Sequence, residues 1–285
     1  MLAPALPEAA IPILPDYVRA AGGVRLHFGR VGTRSLRLEL AESGGYRARI
    51  PTSYDDVCEA VLINTAGGMA GGDRATTTVA VDVGAQAVVT TQAAEKIYRS
   101  QGSDTRVDTV LSVATGACLA WLPQETILFD GARLARTLSV DLAGDARFVA
   151  AETLYFGRSA MGETLRSGSL RDRWRIRRDG RLVFAEDLRL EGPIADILAR
   201  PAVGQGARAV STVLLAGPRE PERLEEIRAL IAAEPGFAGV EAAAGVVEGL
   251  VIVRLLAGDA QALRRALVIL LGQVTGRALP RTWST

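Results

Sequence analysis

The chain is 285 residues long, 48% hydrophobic and 23% charged, with a formal net charge of +1. That balance suits a globular protein with enough core to need no staples, and it excludes a strong global pull toward nucleic acid or an acidic membrane surface. Lys96 is the only lysine and His27 the only histidine, so Schiff-base chemistry or a histidine-based triad would rest on a single residue.

The amino-terminal segment carries Pro4, Pro7, Pro12 and Pro15 and lacks a basic region followed by an apolar run. Residues 1–22 are therefore expected to form an extended arm rather than a secretion signal. No run of about 18 consecutive apolar residues occurs, so no membrane span is expected and the expected location is the cytoplasm. Cys58 and Cys118 lie among apolar neighbours and are expected to be buried thiols rather than a disulfide.

From residue 23 to about 190 the pattern is mostly strand. Val24 to Phe28, Ser35 to Leu40 and Thr78 to Val83 alternate apolar and polar residues. Further on, Arg178-Asp179-Gly180 separates two alternating runs, Arg173 to Arg177 and Leu182 to Asp187, which predicts a hairpin. The middle of the chain carries a weak repeat. Three strands run into Gly84, Gly116 and Gly144, and eight positions after each glycine stands a polar residue: Gln92, Gln124 and Glu152. Units of this length with several strands each predict strands stacked in coils or layers. Glycine turns punctuating an ordinary large sheet are the competing reading.

Near residue 210 the character changes. Ser211 to Leu215 is an apolar β-branched run, Pro218 to Ala233 has the apolar spacing of an amphipathic helix, Gly249 to Leu256 is a strand, and Asp259 caps a helix running to about Gln273. The predicted fold class is mostly β, with stacked or helicoidal strands over residues 23–205 and a small α+β tail with about two helices over 206–285. No linker separates the two parts, so 23–285 is expected to form one domain. The tail could pack as a small lobe on the sheet or lay its helices across one end.

The candidate chemistry is thin. No Gly-x-Ser-x-Gly elbow occurs, and His27 with two scattered cysteines makes no metal-ligand spacing. The densest feature is Asn64-Thr65-Ala66-Gly67-Gly68-Met69-Ala70-Gly71-Gly72-Asp73. It fits neither phosphate-loop pattern, and the residues after it read as a strand, so no helix amino terminus is offered to an anion. Gly67, Gly68, Gly71 and Gly72 are expected to form a structural or partner-facing loop. Glu95 beside Lys96, by itself, has the look of a solvated surface. An acid–base enzyme drawing on the glycine loop with Asp73, Glu152 or Glu163 stays open on the residues alone.

Five segments together resemble the D-type urease accessory protein family, called H in some systems. They are the run Asn64 to Asp73, T-T-Q-A-A-E-K-I-Y-R at Thr90 to Arg99, W-L-P-Q-E at Trp121 to Glu125, G-R-S-A-M-G-E at Gly157 to Glu163 and R-D-R-W at Arg171 to Trp174. The resemblance implies a helicoidal β fold and a non-catalytic urease maturation factor, a chaperone of nickel insertion and metallocentre assembly. It implies no catalytic residue and no tightly bound cofactor, only nickel in transit. The implied partners are the urease apoprotein, an F-type accessory protein and, through it, a G-type GTPase, with neither nucleic acid nor membrane. Asp73, Glu95, Glu152 and Glu163 lie in or beside these segments and are the candidate groups along a nickel passage.

Overall fold

The computed structural model describes residues 19–53, 55–158 and 161–284. The proline-bearing segment 1–18 falls outside them; Ala21 and Gly22, assigned to the arm from sequence, stand in the first strand. Two sheets face each other. A seven-stranded sheet contains β1 (Ala21–Val31), β2 (Arg34–Ser43), β5 (Arg74–Val81), β8 (Thr105–Val113), β11 (Arg133–Leu142), β13 (Gly168–Arg178) and β14 (Arg181–Gly192), in the order β14-β13-β11-β8-β5-β1-β2. The ten-stranded sheet contains β3 (Tyr46–Arg49), β4 (Cys58–Asn64), β6 (Gln86–Thr91), β9 (Cys118–Leu122), β12 (Arg147–Phe156), β15 (Ala209–Ala216), β16 (Val240–Val247) and β17 (Leu250–Ala257), with the short strands β7 (Glu95–Ile97) and β10 (Thr126–Leu128) alongside β12.

The chain climbs in coils. Each coil runs up a strand of the first sheet, turns, and crosses to the second: β5 to β6 and β7, β8 to β9 and β10, β11 to β12. Successive coils pair in parallel, β5 with β8, β8 with β11 and β11 with β13 on one side, and β6 with β9 and β9 with β12 on the other. The stacked, mostly β architecture expected from the repeat is thus what the chain adopts. Gly84, Gly116 and Gly144 all sit at the same corner. There the amides of Ala85, Ala117 and Ala146 close four-residue turns on Asp82, Ala114 and Ala143 at 3.0 Å. The glycine is the third residue of the first two turns and the second of the last, with φ of 69°, 69° and 52°, the left-handed geometry that glycine adopts without a Cβ penalty. Neighbouring coils are stitched there as well: Asp145 Oδ1 accepts from the Gly116 amide at 2.7 Å, and Asp179 Oδ1 from the Gly144 amide at 2.8 Å.

The core between the sheets is built from inward residues of both. Leu26, Val79, Leu111, Leu138 and Trp174 come from one side, and Ala87, Leu119, Phe148 and Ala150 from the other. The hairpin predicted around Asp179 joins β13 to β14, with Asp179 and Gly180 at φ of 50° and 78°, as a two-residue turn of the primed type requires. The carboxy-terminal part extends the larger sheet: β15 pairs antiparallel with β12, and β17 lies between β15 and β16. Helices α2 (Leu224–Ala233) and α3 (Ala260–Thr275) cover the outer face of that sheet through Ile227, Leu263, Leu267 and Leu271. The helix expected from Pro218 begins at Leu224, after a single 3₁₀ turn over Glu220–Arg223. Pro221, with no N–H and a fixed φ, suits that entry turn and would break the interior of an α-helix. Asp259 caps α3 as expected, accepting from the Gln261 amide at 3.0 Å. A six-residue helix, α1 (Ile194–Ala199), is too short to leave a periodicity in the sequence.

Among the described residues no helix is long and apolar enough to cross a membrane. Cys58 is buried, Cys118 is half-buried, and both are free thiols.

Candidate functional site

The inward faces of the coils are apolar near the glycine corners and become polar toward the other end. There the two sheets enclose a cavity of about 270 Å³, bounded by Tyr46, Glu95, Gln124, Arg136 and Glu152 among others. The polar residues one expects at repeat position eight, Gln92, Gln124 and Glu152, all line it. The strand phase explains why Glu152 is inside: Phe148 and Ala150 on β12 face the inter-sheet core, and two residues on, the same face presents Glu152.

Glu152 is 6% exposed. Its Oε1 accepts from the Trp121 indole N–H at 3.0 Å. Its Oε2 lies 3.0 Å from Arg136 Nη2, yet no N–H is aligned on it, so among the described residues this oxygen has charge for a neighbour and no hydrogen bond. The guanidinium is committed elsewhere. Arg136 Nε and Nη2 bind both oxygens of Asp172, at 3.1 and 2.5 Å, the fork geometry of the strongest ion pairs. Arg136 and Asp172 are direct register partners on β11 and β13. Burial works against the Arg136 charge, but Asp172 and Glu152 overcome it and hold its pKa above the ordinary arginine value. Burial pushes the Glu152 carboxyl up, with Arg136 opposing. Gln124, 5% exposed, accepts from Arg264 Nη1 through its Oε1 at 2.8 Å, while its Nε2 is buried and unpaired among the described residues. The cavity thus carries one orphaned acceptor and one orphaned donor. Such groups cost free energy unless water or a ligand meets them.

Glu95 stands at a second wall. It lies on β7, whose alternation turns Glu95 inward and leaves Lys96 exposed. The solvated pair expected from sequence is therefore split between inside and outside. The Asn64 amide donates to both Glu95 oxygens, at 3.0 and 3.1 Å. Burial raises the Glu95 pKa against that hydrogen bonding, and burial together with Glu95 and Asp73 raises that of Tyr46.

The other two candidate carboxylates are not among the residues that bound this space. Asp73 is buried and holds the glycine loop: its oxygens accept the Ala20 amide at 2.8 Å and the Ala70 amide at 2.7 Å. Glu163 is bound by Arg158 at 2.7 Å beside a separate surface pocket formed with Arg99, Asp130 and Arg166. Ser159 and Ala160 of that segment fall outside the described residues. His27 lies on the outward side of β1, 2.8 Å from Asp82.

The glycine loop packs across β7. Met69 donates its amide to Lys96 O at 2.7 Å and accepts from the Tyr98 amide at 2.9 Å, while the Tyr98 hydroxyl donates to Gly67 O at 3.1 Å. Two glycines are forced by space: a Cβ on Gly68 would stand 2.6 Å from the Tyr98 ring, and one on Gly71 would stand 2.1 Å from Ser100 Oγ and 2.8 Å from the Ser103 carbonyl oxygen. We expect Gly71→Val to lower stability by about 1–3 kcal/mol or more and to cut soluble yield. Gly67, at φ 73° with open space around it, should accept alanine at about 1–2 kcal/mol. Thermal unfolding of the two variants checks the ranking, and equal losses would remove the steric argument.

Arg136 and Asp172 belong to this site and escaped the sequence reading. Their signal lay in the alternation. Leu134, Arg136, Leu138 and Val140 share one phase of β11, as do Leu170, Asp172, Trp174 and Ile176 on β13, so a charge in the buried phase of each strand marks a cavity or an internal pair.

The sequence profile of the family described as UreD urease accessory protein matches residues 20–284. Among similar proteins, one from Methylobacterium sp. (strain 4-46) is 49% identical over 276 residues, covering 96% of this chain and 98% of its own length. One from Azorhizobium caulinodans is 45% identical over 270 residues, covering 95% and 98%, and one from Rhodopseudomonas palustris (strain HaA2) is 47% identical over 265 residues, covering 93% of each. All three carry the name urease accessory protein UreD. With a profile match across nearly the whole chain and this identity to full-length relatives, the chain belongs to the UreD urease accessory protein family.

Proposed function

We propose that this chain is a non-catalytic urease maturation factor of the cytoplasm that binds the urease apoprotein and an F-type accessory protein, reaches the G-type GTPase through the latter, and lets nickel pass through its interior cavity. Family membership supports the accessory role. The observation that carries the passage is the pair of buried, unpartnered polar atoms, Glu152 Oε2 and Gln124 Nε2, on the wall of a cavity that Glu95 also lines. The segment 92–94, with Gln124, lines this cavity and also an outer groove beside Arg158, Met161 and Arg264. Only a thin wall therefore separates inside from outside there.

The ligand inventory favours transit over storage. Among the described residues no three His, Cys, Asp or Glu side chains converge as a metal site, and a weak, oxygen-rich lining suits an ion that must leave again. The acid–base enzyme reading loses ground for a related reason. Asp73 has both oxygens on backbone amides, Glu163 is bound to Arg158 at a different pocket, and Glu152 is enclosed with Arg136, so the three carboxylates share no cleft.

The test uses Glu152→Gln and Glu95→Gln, which keep size and hydrogen-bonding capacity. Assembly with the F-type protein and urease is measured by co-purification, and nickel in the activated urease by metal analysis. We expect assembly to persist and nickel content to fall several-fold. If each substitution that lowers nickel also breaks the complex, these residues serve folding or binding and the passage is wrong.

A further inference from the structure

We propose that Arg136 is the fixed internal counter-cation of the cavity, and that by occupying the charge environment of Glu152 it keeps this carboxylate from trapping a passing divalent ion. The inference rests on the transit reading and adds to it the element that sets affinity.

The pairing of Arg136 with its two carboxylates is asymmetric. A buried arginine facing two buried carboxylates could share itself equally, with a hydrogen bond to each. Here it does not. Its fork is spent on Asp172, its register neighbour, which β-pairing between β11 and β13 fixes in place. Its Nη1 reaches only Thr126 Oγ1, at 3.4 Å. Glu152 comes from the opposite sheet and receives charge at 3.0 Å without an aligned N–H. Asp172 is thereby neutralised and immobile, whereas Glu152 keeps a buried, free oxygen on the cavity wall, 94% of the residue being out of solvent. A hydrated dication reaching that oxygen gains one carboxylate, and is repelled by a guanidinium whose Nη2 stands 3.0 Å from the same oxygen. In a low-dielectric interior that repulsion is large and unscreened by salt. Attraction by Glu152 and repulsion by Arg136 are set side by side, which is the arrangement a relay needs: enough negative charge to admit the ion, and a resident positive charge to expel it.

The consequence is unusual for a buried arginine, because removing its charge should create a metal site. In Arg136→Gln the amide can still donate to Asp172, while Glu152 and Asp172 are left without the guanidinium they share. A divalent ion then replaces the missing charge and tightens its own binding. Charge repulsion at this separation predicts a gain of roughly tenfold or more in nickel affinity. Arg136→Lys keeps the charge and should stay weak.

The experiment is isothermal titration of nickel into the purified full chain and its variants, with thermal unfolding in the presence and absence of nickel. The original chain and Arg136→Lys should bind weakly, at micromolar dissociation constants or poorer, with unfolding temperatures that nickel leaves unchanged. Arg136→Gln should unfold at a lower temperature without metal, bind nickel roughly tenfold or more tightly, and recover stability when nickel is added. Adding Glu152→Gln to Arg136→Gln should abolish the gain. Should Arg136→Gln prove insoluble, expression in nickel-supplemented medium should restore soluble protein, and failure of metal to rescue it overturns the proposal. So does a folded Arg136→Gln that binds no better than the original chain. Glu152→Gln alone separates the two readings. Normal nickel delivery by that variant removes the transit reading, while the affinity change in Arg136→Gln stands or falls on the titration.

Discussion

Asp172→Ala should destabilise the protein by about 3–5 kcal/mol, the range seen when one member of a buried ion pair is deleted. Arg136 would keep its burial and lose the two hydrogen bonds that satisfy it. The more telling variant removes the cluster as a whole. In Arg136→Met with Asp172→Leu and Glu152→Gln, every charge of the cluster is gone, and the Trp121 indole still has an amide oxygen to donate to. Replacing buried ionic groups with apolar ones of similar volume is often neutral or stabilising, so the triple variant should match the original chain to within about 1 kcal/mol or exceed it. Urea unfolding with unchanged m separates this outcome from a loosened fold. If the triple variant is as stable as expected and still fails to support nickel delivery, the cluster serves function at no gain in stability. A triple variant as unstable as Asp172→Ala would make the cluster a structural joint.

Much of the architecture was legible before any coordinates, because it depends on local periodicity. The strand alternation, the Asp179-Gly180 hairpin and the Asp259 cap are short-range effects. The spacing of Gly84, Gly116 and Gly144 placed three corners in one column, and with them three polar residues on one cavity wall. What stayed hidden is what strand register creates. Nothing near Arg136 announces Asp172, 36 positions away; they meet because β11 and β13 are adjacent rungs of a parallel stack. The surface look of Glu95 beside Lys96 fails for the same kind of reason. A strand of three residues is too short to declare which side faces in, and Asn64, 31 positions away, decides it. Asp73 ends the glycine loop, and its two oxygens accept backbone amides from Ala20 and Ala70, contacts that the residues around it do not announce.

Trp283→Ala should cost about 3–5 kcal/mol, as expected for deleting a large buried aromatic side chain. Trp283 is 4% exposed and packs with the cluster between the larger sheet and α3. Its indole N–H stands 3.2 Å from both Thr90 Oγ1 and Leu122 O, so it ties the carboxy-terminal segment to β6 and β9 at once. The loss should spread toward the cavity along one side chain. Arg264 packs over the indole ring at 5.2 Å, donates to the Trp283 carbonyl oxygen at 3.3 Å, and in the other direction holds Gln124 and Glu125 at 2.8 and 2.9 Å. Removing the indole takes one contact from the guanidinium and loosens the wall that Gln124 forms. Hydrogen exchange should therefore quicken at the amides of Leu122, Gln124 and Glu125 in Trp283→Ala, beyond the change at the glycine corners. Trp283→Phe, which keeps most of the packing and loses the N–H, should lie between the two at about 1–2 kcal/mol. Uniform acceleration across the whole chain would mean that Trp283 acts on global stability alone, and protection at 122–125 equal to that of the original chain would show that the wall is held without it.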